Sequence, residues 1–304
     1  MIYTITFSPS IDYVINSLEP FKATALNRIE DYQFLPGGKG INASIVLNRL
    51  GYSTQALTFL GAPTKQLFLD LIAPERVQLV DFGATNATRI NLKMTTPTSS
   101  FEINGPKAVI APAAGAALLD FVRTNLRSTD LVLIMGICQE AFLTQLVAVL
   151  SQHQIPFALD VDAPVVRQLL SAQPLILKPN RTELAALMQC ELNSQAALEQ
   201  AMRELKTHGA QMVLVSDGAR GSYFLDANGD FYQVQLEQSF DVVSAVGAGD
   251  TLLASFIAIY RHHRNAIQAL RQATSLSIAT TQTQFLATRA DLDRYAAAIK
   301  ITKL

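Results

Sequence analysis

Four short apolar runs constrain this chain most: Leu131-Val132-Leu133-Ile134, Pro156-Phe157-Ala158-Leu159, Leu175-Ile176-Leu177 and Met212-Val213-Leu214-Val215. None alternates with polar residues, so a strand built from any of them has no face to offer water. Parallel strands covered by helices on both sides have that pattern. The intervals supply such helices, near 113–127, 140–152, 163–172 and 194–207. Upstream, 2–7 and 54–59 read as strands around a helical stretch from about Gly40 to Leu50. Three helical stretches follow residue 249 and finish the chain. This βαβα succession predicts a doubly wound α/β fold with a mostly parallel central sheet. A sheet buried on both faces needs a large apolar fraction, and hydrophobic residues make up 49% of the 304 while charged residues make up 16%. The same balance excludes a disordered chain.

Two regions break the rhythm, 11–36 and 88–104. Their extended segments alternate in polarity, as in Arg89-Ile90-Asn91-Leu92-Lys93-Met94, and neither is flanked by a helix long enough for a crossover. They predict a small antiparallel sheet that projects from the main layers and covers a cleft as a lid. With no repeat, linker or low-complexity tract, 1–304 reads as one domain with a discontinuous lid.

The formal charge is -1, from 24 basic and 25 acidic side chains, which argues against a nucleic-acid surface. Cys138 and Cys190 lack metal-ligand spacing and read as half-buried side chains in a reducing compartment. No apolar run approaches the ~20 residues of a membrane span. Met1 to Phe7 has the alternation of a strand and lacks the basic start of a signal peptide. The expectation is a cytoplasmic protein with no membrane and no nucleic-acid partner.

The most informative segment is Val246-Gly247-Ala248-Gly249-Asp250-Thr251, directly before the helical run Leu252-Leu253-Ala254-Ser255-Phe256. Gly247 and Gly249 remove side chains where backbone must approach a ligand. A helix that starts at Gly249 aims free N–H groups and its positive dipole end at an anion. Asp250 in the first turn complements the dipole and can take a proton from a hydroxyl beside that anion. A base next to an anion pocket suits phosphoryl transfer, where positioning and charge neutralisation do most of the work. A plain Gly-rich helix start is the structural alternative. Neither a dinucleotide fingerprint nor a P-loop is present.

A second cluster, Pro36-Gly37-Gly38-Lys39-Gly40-Ile41-Asn42, precedes the first helix, where Lys39 and Asn42 offer donors to sugar hydroxyls or phosphate. Asp12, after the first strand, lies where ligands bind in open α/β sheets and can receive two adjacent sugar hydroxyls; alone it reads more often as a turn residue. In Lys178-Pro179-Asn180-Arg181-Thr182-Glu183, Asn180 and Glu183 stand one helical turn apart. They suit Mg²⁺ with retained waters, or a capping box, and both readings stay open. Ser216-Asp217-Gly218-Ala219-Arg220-Gly221 joins two strands as a tight turn. Arg89, on a lid strand, either binds a substrate phosphate or lies on a solvated face. The four histidines sit in no motif.

The order of these segments carries more than any one of them. Ser8-Pro9-Ser10-Ile11-Asp12, Gly37 to Asn42, Thr88-Arg89-Ile90-Asn91, Glu102-Ile103-Asn104-Gly105-Pro106, Lys178 to Glu183, Ser216 to Gly221 and Val246 to Asp250 together resemble the phosphofructokinase B branch of the ribokinase family over nearly the whole chain. Within that branch the chain looks most like the bacterial 1-phosphofructokinases, with tagatose-6-phosphate kinases close. The resemblance implies a ribokinase-like three-layer fold and an ATP-dependent kinase of a phosphorylated sugar, fructose 1-phosphate first. It implies Asp250 as catalytic base, with Gly247, Ala248 and Gly249 as an anion hole. Asp12, Gly37, Gly38, Lys39 and Asn42 would hold the sugar, and Arg89 its phosphate. Lys178, Asn180, Glu183, Ser216, Gly218 and Gly221 would serve the nucleotide, with Glu183 reaching Mg²⁺ through water. It also implies a homodimer through the lid, with Arg28 near a partner's site. Departures fall at Met135-Gly136-Ile137-Cys138-Gln139, where relatives carry Ser-Gly-Ser-Leu-Pro, at Gly61-Ala62-Pro63-Thr64-Lys65, and at Thr280-Thr281-Gln282-Thr283. They bear on substrate preference, and leave a sugar-phosphate-binding protein without useful turnover as the non-enzymatic alternative.

Overall fold

A computed structural model of the chain describes every residue except Leu18, Ala23, Glu30 and Pro97. The elements run β1 (Ile2–Thr6), β2 (Ser10–Asn16), β3 (Tyr32–Gly37), α1 (Lys39–Arg49), β4 (Thr54–Thr58), α2 (Lys65–Ile72), β5 (Gln78–Asp81), β6 (Arg89–Thr95), β7 (Ser100–Ile103) and α3 (Pro112–Asn125). There follow β8 (Leu131–Met135), α4 (Glu140–Gln152), β9 (Phe157–Asp160), α5 (Val166–Leu169), β10 (Ile176–Leu177), α6 (Arg181–Met188), α7 (Gln195–Thr207) and β11 (Val213–Ser216). The last are β12 (Ser222–Leu225), β13 (Phe231–Leu236), α8 (Ala248–His263), α9 (Ala266–Thr281) and β14 (Ile299–Lys303).

The main sheet has the order β14-β13-β12-β11-β10-β9-β8-β1-β4-β5. It is parallel from β11 through to β5 and antiparallel from β11 to β14. The uniform apolar runs are explained by where successive side chains go. Val132 and Ile134 enter one core with Leu118 of α3, Leu146 of α4 and Leu198 of α7. Leu131, Leu133 and Met135 enter another with Phe256 of α8 and Leu270 of α9. Strand side chains alternate faces with period two, and here both faces are covered, which makes three layers.

Two expectations need correction. The stretch 163–172 is helical only over α5 and a single 3₁₀ turn, Leu170–Ala172. After residue 249 there are two α-helices, not three; two 3₁₀ turns and β14 finish the chain, with β14 antiparallel to β13. Ile299-Lys300-Ile301-Thr302-Lys303 alternates apolar with polar, which suits an edge strand with one face against the core.

The lid stands where 11–36 and 88–104 placed it, as a separate sheet of order β3-β2-β6-β7. Its outer pairs are antiparallel, and its central pair β2–β6 is parallel. One face presents Ser10, Asp12, Arg89, Asn91 and Lys93 to a cleft. Residues on the other face include Tyr13, Tyr32 and Phe34, whose rings lie 4.9 to 5.7 Å apart, and the exposed Ile90 and Ile103. Among the described residues no helix is long and apolar enough to cross a membrane.

Candidate active site

The site is built around the start of α8. Gly247 sits at its N-cap with φ 78°, and a Cβ there would lie 2.5 Å from Leu286 Cδ2. Only glycine meets both demands. The first intrahelical bond runs from Thr251 N–H to Gly247 O, so the amides of Gly249 and Asp250 belong to the free first turn. Asp250 is buried, at 7% exposure, and its Oδ2 accepts from Asn42 Nδ2 of α1 at 2.8 Å. Burial, reinforced by the nearby Asp160 carboxylate, pushes Asp250 up to about 6 against the opposing pull of Lys39, the Asn42 bond and Lys178.

Asp160 ends β9 and lies between two lysines. Lys39 Nζ donates to its Oδ1 at 2.8 Å, and Lys178 Nζ makes a close ionic contact with its Oδ2 at 3.1 Å. Burial works against the Asp160 charge, yet Lys178 and Lys39 hold it below the ordinary carboxylate value. Burial works against Lys39 too, and the Asp160 carboxylate outweighs it, holding the ammonium above the usual lysine range.

Two cavities meet at this helix end. One, of about 340 Å³, is lined by Ser10, Asp12, Gly38, Lys39, Asn42, Arg89, Asn91, Lys93, Glu102, Ala245, Val246 and Asp250. The other, of about 720 Å³, is lined by Asn180, Ser216, Gly218, Gly221, Ala248 and Gly249 with an apolar wall that includes Leu236, Phe240, Val242, Leu252 and Ile278. Ala245 borders both. The smaller, charged cavity is the size of a sugar phosphate, and the larger one offers the apolar wall and backbone-rich edge that a nucleotide needs.

Most of the residues singled out in the sequence line one or other of these places. Asp12, Gly38, Lys39, Asn42 and Arg89 join Asp250 around the smaller cavity. Asp12 is a strand residue of β2, not a turn residue. Gly37 makes room for it, since a Cβ there would lie 2.7 Å from Asp12 Oδ2. Asn180, Ser216, Gly218 and Gly221 join Ala248 and Gly249 around the larger one. Lys178 and Glu183 line neither. Lys178 is buried, turned to Asp160, with its Nζ 3.5 Å from where a Cβ on Gly249 would be. Asn180 and Glu183 form a reciprocal capping box, Glu183 N–H to Asn180 Oδ1 and Asn180 N–H to Glu183 Oε2, each 2.8 Å, so that reading of the pair is realised. Glu183 borders a separate cleft with Asp162. Met135 to Gln139 line neither cavity: Met135 is fully buried, and burial pushes the Cys138 thiol up to about 12.

The sequence reading missed Asp160, Asn91, Lys93 and Glu102. The signals were there. Asp160 closes an apolar strand at its carboxyl end, and Asn91 and Lys93 follow Arg89 at the period of a strand face.

The family profile described as pfkB family carbohydrate kinase matches residues 5–289. The chain belongs to that family. It is a sugar kinase, a phosphotransferase with ATP as co-substrate. It is 28% identical to the 1-phosphofructokinase of Bacillus subtilis, covering 100% of both chains. It is also 28% identical to the D-tagatose-1-phosphate kinase of Bacillus licheniformis, again over 100% of both. The crystal structure of phosphofructokinase-2 from Escherichia coli in complex with fructose-6-phosphate is 25% identical, covers 97% of this chain and 98% of that one, and superposes with a TM-score of 0.85.

Proposed function

We propose that this kinase transfers the γ-phosphoryl group of ATP to the C6 hydroxyl of fructose 1-phosphate, giving fructose 1,6-bisphosphate. The observation that carries the reading is Asp250, a buried carboxylate at a helix N-terminus between a charged cavity and a nucleotide-sized one. With its pKa pushed up to about 6, it is ionised at neutral pH yet basic enough to take a proton. The acceptor O–H bond breaks and its proton passes to Asp250. The freed oxygen bonds the γ-phosphorus, and the bond from that phosphorus to the ADP oxygen breaks. The first-turn amides at Gly249 and Asp250, with Lys178 beside them, oppose the negative charge of the moving group.

Mg²⁺ fits this donor set. Mg²⁺ in kinases is held chiefly by phosphates and water with one or two carboxylates, and Glu183 is a carboxylate near enough for its charge to act on Lys39. Glu183, whose capping bond uses only Oε2, would hold it through water, and when bound it neutralises the triphosphate. Support for a homodimer comes from the apolar outer face of the lid, and we read 1–304 as one kinase domain that carries this lid.

The full-length tagatose relative favours one second reading, transfer to tagatose 1-phosphate; its name moves the alternative from the 6-phosphate to the 1-phosphate. A coupled ADP-release assay with Mg-ATP against fructose 1-phosphate, tagatose 1-phosphate, tagatose 6-phosphate, fructose 6-phosphate and unphosphorylated sugars decides. Selectivity for fructose 1-phosphate is the expected outcome. Selectivity for another sugar keeps the mechanism and moves the substrate. Silence throughout, with ligands still bound, means a binding protein without turnover.

A further inference from the structure

Asp12 is already well supplied with donors. Ser10 Oγ and Asn91 Nδ2 reach its Oδ1 at 2.8 and 3.0 Å, and Lys93 Nζ reaches its Oδ2 at 2.5 Å. The Lys93 and Asp12 side chains are only 14% and 8% exposed. An ionised carboxylate has about four lone-pair positions, so three donors leave one, on Oδ2. The sequence reading, in which Asp12 receives two adjacent hydroxyls at once, therefore does not hold. Lys93 decides the count. It is also the cation in direct contact with this buried carboxylate, because Arg89, the other cation of the same strand face, donates to Ser8 O and acts on Asp12 only through its charge.

We propose that Lys93 is a specificity-determining residue of the sugar cavity. By occupying one Oδ2 position it leaves Asp12 a single acceptor site, fixed in direction, which reads the configuration of one ring hydroxyl of a ketohexose phosphate. Ser10 and Asn91 fix the carboxylate plane, and Lys93 fixes which lone pair faces the substrate. The two remaining Nζ protons of Lys93 are free for the substrate's own oxygens. A site that hydrogen-bonds a specific hydroxyl discriminates strongly, since the wrong epimer leaves a buried acceptor unmatched. This inference rests on the proposed ketohexose-phosphate substrate.

The test is an epimer panel: the 1-phosphates of fructose and of its C3, C4 and C5 epimers, with wild type, Lys93→Met and Lys93→Arg. In Lys93→Met the kcat/KM preference over at least one epimer should fall about tenfold, mainly through the sugar KM, with KM for ATP within about twofold of wild type. Lys93→Arg, which still offers a charged donor, should retain most of the preference. Each ratio is taken on one preparation, so loss of folded protein cancels. All ratios within about twofold of wild type in Lys93→Met would overturn the proposal, as would a wild type that does not distinguish the epimers. If no sugar phosphate turns over, the proposed function fails by itself. Calorimetric binding of the same epimers to wild type and Lys93→Met then decides Lys93 by the same criterion.

Discussion

Asn42 Nδ2 donates to Asp250 Oδ2 at 2.8 Å across the junction of α1 and α8, so the residue that closes the glycine-rich segment after the lid also tunes the proton affinity of the proposed base. Its bond pulls the Asp250 pKa down while burial and Asp160 push it up. Activity needs the ionised carboxylate, so kcat/KM should fall as pH drops through about 6. Asn42→Ala removes a pull toward ionisation, and its acid limb should move to higher pH. Asp250→Asn should lower kcat by about 10²–10⁴-fold while ATP binding persists. A pH–rate profile of the three proteins checks this; an unshifted limb in Asn42→Ala removes the coupling.

The same raised pKa has a stability consequence. Asp250 goes from the ordinary 3.8 to about 6 on folding, so the native state binds the proton more tightly than the unfolded chain. Stability is then lost as pH rises between those values and stays lost above them. Asp250→Asn escapes that loss. Its Tm should exceed the wild-type value by roughly 2–4 °C at pH 7.5, with the gap closing as pH falls toward about 4. Equal melting temperatures at pH 7.5 would mean that the carboxylate carries no strain.

Asp160 should behave in the opposite sense. It neutralises Lys39 and Lys178 and at the same time repels charge on Asp250. Removing it as Asp160→Ala takes away the ion-pair partner of both lysines and should cost about 3 kcal/mol, the low end for a broken buried pair because the Lys39 side chain is 36% exposed and Asp250 still opposes its charge. The acid limb of the pH–rate profile should move to lower pH, opposite to Asn42→Ala. A urea melt and the profile together check both parts.

How much of this was legible beforehand follows from what each feature depends on. The central sheet was readable because Leu131 to Ile134 and its counterparts are apolar at every position, which only two covered faces permit. The segment around Asp250 was readable because Gly247 serves backbone geometry, with φ 78° and no room for a Cβ, and geometry of that kind leaves a local mark. Asp160 left none. Its role arises from Lys39, 121 residues upstream, and from Lys178, just past the end of β10, and sequence spacing is blind to such neighbours. Asn180 and Glu183 had two chemically sound readings at one spacing, and only coordinates could show the capping bonds closed. β14 was hidden because its alternation is short and lies at the end of a helical region.

Gly221 offers a test of the nucleotide cavity. Its φ is 92° and a Cβ would lie 2.0 Å from Val234 O, so alanine meets both backbone strain and a carbonyl that the β12–β13 ladder holds in place. Gly221→Ala should cost about 1–3 kcal/mol and raise KM for ATP several-fold with the sugar KM unchanged. Gly218, with φ 57° but nothing within 4 Å of a Cβ, carries strain alone, so Gly218→Ala should be the milder variant. Thermal melts and the two KM values rank them; the reverse order would mean that the clash is relieved by a shift of β13.

The outer face of the lid bears on assembly. Tyr32 is 54% exposed, Ile90 45% and Ile103 59%, around the Tyr13–Phe34 stack, and a contiguous apolar sheet face of this kind marks an interaction surface. A second copy of the same lid is the occupant we expect. Light scattering should give twice the 33.1 kDa of one chain. Ile103→Lys places a charge in that face and should return the mass to 33.1 kDa. Because Asp12, Arg89 and Lys93 stand on the opposite face of the same strands, loosening the pair should also raise the sugar KM and leave KM for ATP nearly unchanged. A variant that stays at the wild-type mass would place the interface elsewhere and leave the lid as a cover for its own cleft.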